Sequence, residues 1–280
     1  MPKTDSCISF YLQKAAIRGQ FCRISKSITN ALVNHSYSNS INRLLAEMTA
    51  VSHCLTMNTK SEYQAVMQLT GTTPLRAALV DLYDNGLFRC CASFADKLNS
   101  KDINCNTVPE LFGHNAKLLF TMDIKQQRYQ TLVALRHSKL EDCFQDYFDQ
   151  SEQVPSVVLI TSKLAGTAVK AASLILHKMP DLTNNNDEND NWEAAKIFTQ
   201  TIKADELMDL NTDMEKLIYL VYDEFGPIVS RETTINFQCK CSEKKFKETL
   251  FQLGISENSL EVICEYCNKK YSIDIECKNS

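Results

Sequence analysis

Along the first 180 residues the apolar positions switch between a period of two and a period near 3.6. Ser38 precedes Ile41, Leu44, Leu45 and Met48, which predicts a helix starting at the serine. Tyr63, Ala65, Met67 and Leu69 alternate with polar neighbours as a strand does. The runs Leu75–Tyr83 and Leu87–Phe94 flank Asp84-Asn85-Gly86, a hairpin turn signal. Residues 118–124 and 128–135 repeat that arrangement around a polar connection. Leu140, Phe144 and Tyr147 return to helical spacing, and residues 147–153 read as a helix end running into a strand at 157–161. Hairpins separated by helices predict an α+β domain over residues 1–180, an antiparallel-sheet core covered by helices.

The pattern changes at residue 181. Residues 184–191 hold no apolar side chain and read as a loop or linker. Helical patterns follow at 192–202, 205–210 and Met214–Tyr222. Residues 181–236 carry 13 acidic and 4 basic residues, a net of -9, against 19 basic and 14 acidic in residues 1–180, a net of +5. Two readings of this helical acidic linker stand open. It docks on the first domain partly through charge, or it presents an ordinary solvated acidic face. Residues 237–280 form a small C-terminal domain with room for a helix at 243–253, ended by Gly254, and a strand at 270–275.

Twelve cysteines are many for a 280-residue chain of net charge -4. Residues 1–10 show no apolar run of signal-peptide length and no stretch approaches a membrane span, so a soluble cytoplasmic protein with reduced thiols is expected. The acidic balance argues against nucleic acid as a partner. Cys7, Cys22, Cys54, Cys90, Cys91, Cys105 and Cys143 are scattered without ligand spacing. Cys90 and Cys91 fall on opposite faces of a strand, and Cys143 sits beside Phe144 on a helix; both arrangements suit packing. His35, His53, His114, His137 and His177 show no carboxylate or cysteine at ligand spacing. Cys239 and Cys241, then 22 residues, then Cys264 and Cys267 are different: two close pairs across a short spacer are a strong signal for one Zn²⁺ held by four thiolates. Such a tail cannot hold a core of its own, so the metal would supply its folding energy. Lys240, Lys244, Lys245, Lys269 and Lys270 lie close in sequence to offset the thiolate charge. Thiolates are also what oxidants attack, so the site is either a structural staple or an oxidant-triggered unfolding switch. Cys277 is a further thiol that could act as a fifth ligand or resolving thiol. No phosphate-binding glycine loop, H-E-x-x-H motif or nucleophile elbow is present, so neither ATP use nor these forms of catalysis has support.

Several motifs in order carry a resemblance: Phe237-Gln-Cys-Lys-Cys-Ser242 with Cys264-Glu-Tyr-Cys-Asn268, residues 147–153 preceded by Arg128-Tyr-Gln130, and Ile17-Arg-Gly19 followed by Leu44-Leu-Ala-Glu47. Over nearly its whole length the chain resembles the redox-regulated heat-shock holdase, or 33 kDa chaperonin, family. The resemblance implies an ATP-independent chaperone rather than an enzyme. In such a protein oxidation would form disulfides Cys239–Cys241 and Cys264–Cys267, release zinc, and unfold the tail and linker. The oxidised form would dimerise and bind unfolding clients under oxidative stress. Two competing expectations are a thiol-disulfide oxidoreductase using Cys264-x-x-Cys267 and a structural zinc-ribbon interaction protein.

Overall fold

The computed structural model describes residues 5–95, 100–180, 186–255 and 259–274. The chain opens with β1 (Ser6–Leu12) and β2 (Ile17–Ile24), an antiparallel hairpin. The Asp5 carboxylate accepts the amides of Lys26 and Ser27 and so caps the short α1 (Lys26–Leu32). Ser38 then caps α2 (Asn39–Thr56), its hydroxyl accepting from Ile41 N at 3.4 Å, as the sequence predicts. β3 (Tyr63–Thr70), β4 (Leu75–Tyr83) and β5 (Leu87–Phe94) follow with the expected hairpin. Beyond the capping-boxed α3 (Val108–Phe112) come β6 (Lys117–Ile124) and β7 (Gln127–Ala134), then α4 (Leu140–Tyr147) and the long pair β8 (Ser156–Ala165) and β9 (Ala168–Lys178). The acidic segment supplies α5 (Asn186–Thr201), α6 (Ala204–Leu207), α7 (Met214–Tyr222) and β10 (Pro227–Thr234). β11 (Asn236–Phe237), α8 (Glu243–Gln252), β12 (Ser259–Ile263) and β13 (Lys270–Asp274) complete the chain.

The fold is α+β, with two large sheets rather than one. The first runs β10-β1-β2-β9-β8, the second β11-β5-β4-β3-β6-β7, and β12-β13 stand apart. All pairings are antiparallel except β11 with β5, which is parallel. Helix α2 lies between the two sheets and is buried all round, including Thr49, Ser52 and Thr56. These hydroxyls are tolerated there because each donates to a carbonyl one turn back, Thr49 to Leu45 at 2.7 Å and Ser52 to Met48 at 2.6 Å.

The first sheet is buried on both faces. Cys22, Ile24, Ala171 and Ile175 face α2, while Ile8, Phe10, Leu12, Phe21, Leu174 and Leu176 face the helices of the acidic segment. Gly19 sits opposite Phe10 in register, and a Cβ there would collide with the Phe10 ring.

Two expectations are corrected. The polar run 184–191 is not a loop where it is described, since α5 starts at Asn186. Acidic residues suit a helix N-terminus, and Trp192 and Ala195 anchor the turns that follow. Residues 184 and 185 lie outside the described residues. Nor does charge chiefly dock this segment. Trp192, Ala195, Leu207, Met214, Ile218 and Tyr222 bury apolar surface on the sheet. Lys163 to Asp205 (2.8 Å, exposed) is an ion pair from the segment to the 1–180 region, and Asp209 and Asp213 lie near enough to Arg23 to act on its charge. Arg23 reaches across as well, but donates to backbone oxygens of Leu207 (2.9 Å) and Thr212 (2.6 Å). Raising salt should therefore leave proteolysis within residues 186–222 unchanged. Ile218→Ala, which empties a fully buried position, should cost about 2–5 kcal/mol and speed cleavage there. Salt-accelerated cleavage of the unmodified chain would show that charge holds the segment after all.

Candidate metal centre

The tail reaches the site from two directions. After β10, Ile235 N donates to Asp5 O (2.8 Å) and β11 adds to the edge of β5, with Gln238 N on Phe88 O (2.9 Å). This fixes Cys239 and Cys241 two residues apart on an extended segment. Ser242 then caps α8, its hydroxyl accepting from Lys245 N (3.3 Å). Gly254 follows α8 in a left-handed conformation (φ 70°), as its position predicts. The chain returns through β12, a strand the alternation of Leu260 and Val262 could have disclosed. Cys264 N donates to Lys269 O (2.9 Å) and Asn268 N to Cys264 O (2.8 Å), so the chain folds into a tight knuckle carrying Cys264 and Cys267. Asn268 supplies its positive φ of 58°, a conformation asparagine tolerates better than most residues.

The two halves bring the four sulfurs to one point. All lie within 4.8 Å of one another, with Cys239 to Cys264 at 3.6 Å and Cys241 to Cys267 at 3.5 Å. Cys264 is buried and the other three are half-buried. The Tyr271 hydroxyl lies 3.1 Å from Cys241 Sγ, and its ring packs on Phe246 with centroids 5.2 Å apart. Burial pushes the Cys239 and Cys267 thiols up. Burial also acts upward on Cys241, but the Tyr271 hydroxyl and the neighbouring sulfurs outweigh it and bring this thiol down to about 7. Such a group of sulfurs can hold a metal ion. Among the described residues no other cluster of three or more histidine, cysteine or carboxylate side chains does so.

The surrounding charges differ from the sequence expectation. Lys244 and Lys270 pair with Glu248 (3.9 Å) and Glu261 (3.1 Å), and Lys240 lies over the Tyr83 ring at 3.3 Å. Lys269, 5.0 Å over the Tyr271 ring, and Lys245, whose Nζ donates to Lys240 O at 3.0 Å, stay beside the four sulfurs in the manner foreseen. The knuckle instead rests on the core: the Arg89 guanidinium stacks on Tyr266 at 3.9 Å while pairing with Asp81 at 2.6 Å. Asn268 Nδ2 donates to Asn34 O (2.7 Å) and His35 Nε2 meets Tyr266 O (3.3 Å).

The scattered cysteines do not join the site. Cys7, Cys22, Cys54, Cys90 and Cys143 are packed in the core between the sheets, and Cys91, on the other face of β5 from Cys90, is buried. Cys277 lies outside the described residues. One histidine was underestimated: His137 Nε2 meets Asp146 Oδ2 at 2.7 Å, a contact made across a bend and invisible to ligand spacing.

Comparison with known proteins gives one consistent result. A family model described as Hsp33 protein matches residues 5–274. The 33 kDa chaperonin of Proteus mirabilis (strain HI4320) is 28% identical over 281 residues, covering 97% of this chain and 94% of its own. The 33 kDa chaperonin of Chromobacterium violaceum is 26% identical over 286 residues, covering 98% and 92%. The crystal structure of the 33 kDa chaperonin (heat shock protein 33 homolog) of Thermotoga maritima superposes with a TM-score of 0.79 at 16% identity, covering 97% of this chain and 95% of that one.

The Tyr271 hydroxyl touches the Cys241 sulfur and the same residue's ring packs on Phe246 of α8, so it orients Cys241 within the group of four. Tyr271→Phe should keep the ring contact and weaken metal affinity about 10–100-fold, read by competition with a chromophoric chelator. Unchanged affinity would remove Tyr271 from that role.

Proposed function

The chain belongs to the Hsp33 family, and on that premise we propose that it is a redox-regulated, ATP-independent holdase whose switch is Cys239, Cys241, Cys264 and Cys267. A chaperone function, and with it the binding of client proteins, follows from the family. The switch rests on one observation. Among its described residues the tail buries only Leu250, Cys264 and Ile273 as apolar side chains, yet it gathers four sulfurs within 4.8 Å.

The donor set fits zinc. Tetrahedral thiolate coordination at a bond length of about 2.3 Å places sulfurs about 3.8 Å apart, close to the 3.5 and 3.6 Å separations here. A bound Zn²⁺ would keep the four sulfurs as thiolates and supply folding energy the tail's own packing lacks. The four cysteines are also the sensor. Hydrogen peroxide takes two electrons from the Cys239 and Cys241 thiolates, forming one S–S bond while the peroxide O–O bond breaks, and its two oxygens leave as water after taking up two protons from solvent. A second peroxide does the same to Cys264 and Cys267. The donors are then consumed and the tail loses its hold.

The pairing decides the outcome. The shortest sulfur contacts cross between the motifs, Cys239 with Cys264 and Cys241 with Cys267. Bonds formed that way would staple the two halves together and preserve the tail. The family resemblance implies Cys239–Cys241 with Cys264–Cys267, and bonds within each motif leave the halves untied, which fits unfolding. Release then passes through β10, which stands between α7 and the tail in sequence and pairs only with β1. If α5–α7 leave, Phe10, Leu12, Phe21, Leu174 and Leu176 are uncovered. Such a surface suits unfolding clients and a second oxidised copy. No helix among the described residues is long and apolar enough to cross a membrane, which accords with a cytoplasmic setting.

The oxidoreductase reading gains nothing from the geometry. Cys264 and Cys267 sit on a turn between antiparallel strands, not at the start of a helix in a β-α-β unit.

Peroxide treatment should remove one zinc together with four thiols, and suppression of client aggregation should appear only afterwards. Peptide mapping should recover disulfides within each motif, and amides of 227–234 should lose exchange protection along with the tail. Equal suppression by reduced, zinc-loaded protein would sink the switch. Cross-motif disulfides in the active form would sink the pairing.

A further inference from the structure

The inner face of the first sheet ends in polar residues that the core does not explain. On β2, Cys22 and Ile24 pack against α2, but Arg18 and Gln20 continue the same face. Gln20 is 0% exposed, and neither its amide nitrogen nor its amide oxygen has a hydrogen-bond partner among the described residues. The Arg18 Nε is buried and equally unpartnered. Unpaired polar atoms inside a protein are costly, and their concentration in one place calls for a partner.

Arg18 and Gln20 line a cleft of about 260 Å³ between the first sheet, the strand β6 and the turn after α4, and a turn of either side chain carries its sealed polar atoms into it. Phe120, Met122, Tyr147 and Phe148 give it apolar walls. No carboxylate lines it among the described residues. His177 lies opposite Arg18 in register and is engaged with the Ser156 hydroxyl through Nδ1 at 2.8 Å. Burial, with the Arg18 charge adding to it, lowers this imidazole to about 4, so it is neutral near pH 7. Asn58 is engaged with the Ser9 hydroxyl at 3.1 Å. Among the described residues Arg18 is the only cation lining the cleft, and no carboxylate lines it beside Arg18.

We propose that this cleft binds a small organic acid with an apolar body and a hydroxyl beside its carboxylate. The carboxylate accepts from Arg18 Nε and Gln20 Nε2, the hydroxyl donates to Gln20 Oε1, and the apolar body lies against Phe120, Met122 and Phe148. Each orphaned atom then gains a partner of the right sense, and the Arg18 charge is met. The volume falls just under the range of about 300–1,000 Å³ common for drug-sized ligands, which limits the guest to one ring or a short branched chain.

The test is calorimetric titration of the reduced, zinc-loaded full chain with 3-phenyllactate, 3-phenylpropionate, 3-phenyllactamide and inorganic phosphate. The proposal expects saturable one-to-one binding of phenyllactate. Phenylpropionate should bind about 2–10-fold more weakly for the lost hydroxyl, and phenyllactamide about tenfold or more weakly for the lost charge. Arg18→Met and Gln20→Met should each weaken phenyllactate binding about tenfold. Intermolecular nuclear Overhauser contacts from the ligand ring to the Met122 methyl and Phe148 place the guest without any variant, so a variant that fails to fold does not leave the matter open. Absence of saturable binding, equal affinity for the amide, competition by phosphate at equal concentration, or ligand contacts elsewhere would each overturn the proposal.

Discussion

Four sulfurs held within 4.8 Å, with almost no apolar core behind them, set the terms for the C-terminal part of this protein. Folding a segment of this length by burial alone requires more apolar surface than Leu250, Cys264 and Ile273 provide. Phe251 and Leu253 point the other way, 81% and 68% exposed. Apart from Phe237, whose ring packs on Phe88, the attachments to the core described above are polar or charged: the Arg89–Tyr266 stack, the Lys240–Tyr83 stack and the Asn34–Asn268 hydrogen bond. Such contacts orient a folded tail well. They compete poorly with water once the tail loses its shape. A tail built this way has a stability governed by the state of its sulfurs.

The first sheet presents the complementary case. It carries apolar residues on both faces, unlike most antiparallel sheets, which leave one side to water. Helix α2 covers the inner face permanently, sandwiched by the second sheet. The outer face is covered by α5–α7, short helices rich in acid on their exposed sides, joined to the sheet chiefly by Trp192, Leu207, Met214, Ile218 and Tyr222. The acidic residues keep these helices soluble in either position. The apolar contacts hold them while the rest of the structure is intact.

Much of this was legible in the residues. The Ser38 cap, the Asp84-Asn85-Gly86 turn, the 140–147 helix and the gathering of four cysteines all follow from local chemistry, because a cap, a tight turn and a sulfur quartet each need particular side chains at fixed spacing. What escaped was non-local. The strands β1, β2 and β9 alternate between two buried faces, so their apolar runs lose the contrast that marks a half-exposed strand. β10 reads as polar because it is an edge strand with exposed Arg231 and Glu232, and only its pairing with β1 reveals it. The acidic balance of 181–236 drew attention to charge, although docking strength resides in the same helices' apolar stripe. The lysines near the cysteines are neighbours in sequence, yet side-chain reach commits Lys244 and Lys270 to glutamates instead.

The place of β10 explains how a change in the tail can be felt by α5–α7 without direct contact. This strand pairs on one side only, with β1, and α7 packs over it. Beyond its end, Ile235 is buried in the core with its amide on Asp5 O and its carbonyl on the Ser27 hydroxyl, and Asn236 N donates to Gly86 O before the chain reaches the four cysteines. An edge strand whose far end is fixed frays little. One whose far end is free can lose pairs progressively from Thr234 back towards Pro227, because each lost pair leaves the next as the new terminus. As it frays, α7 loses the strand beneath it while β1, held by β2, remains. The covering helices therefore face a weakened support on the side nearest the tail, and the sheet they cover stays intact to receive whatever replaces them.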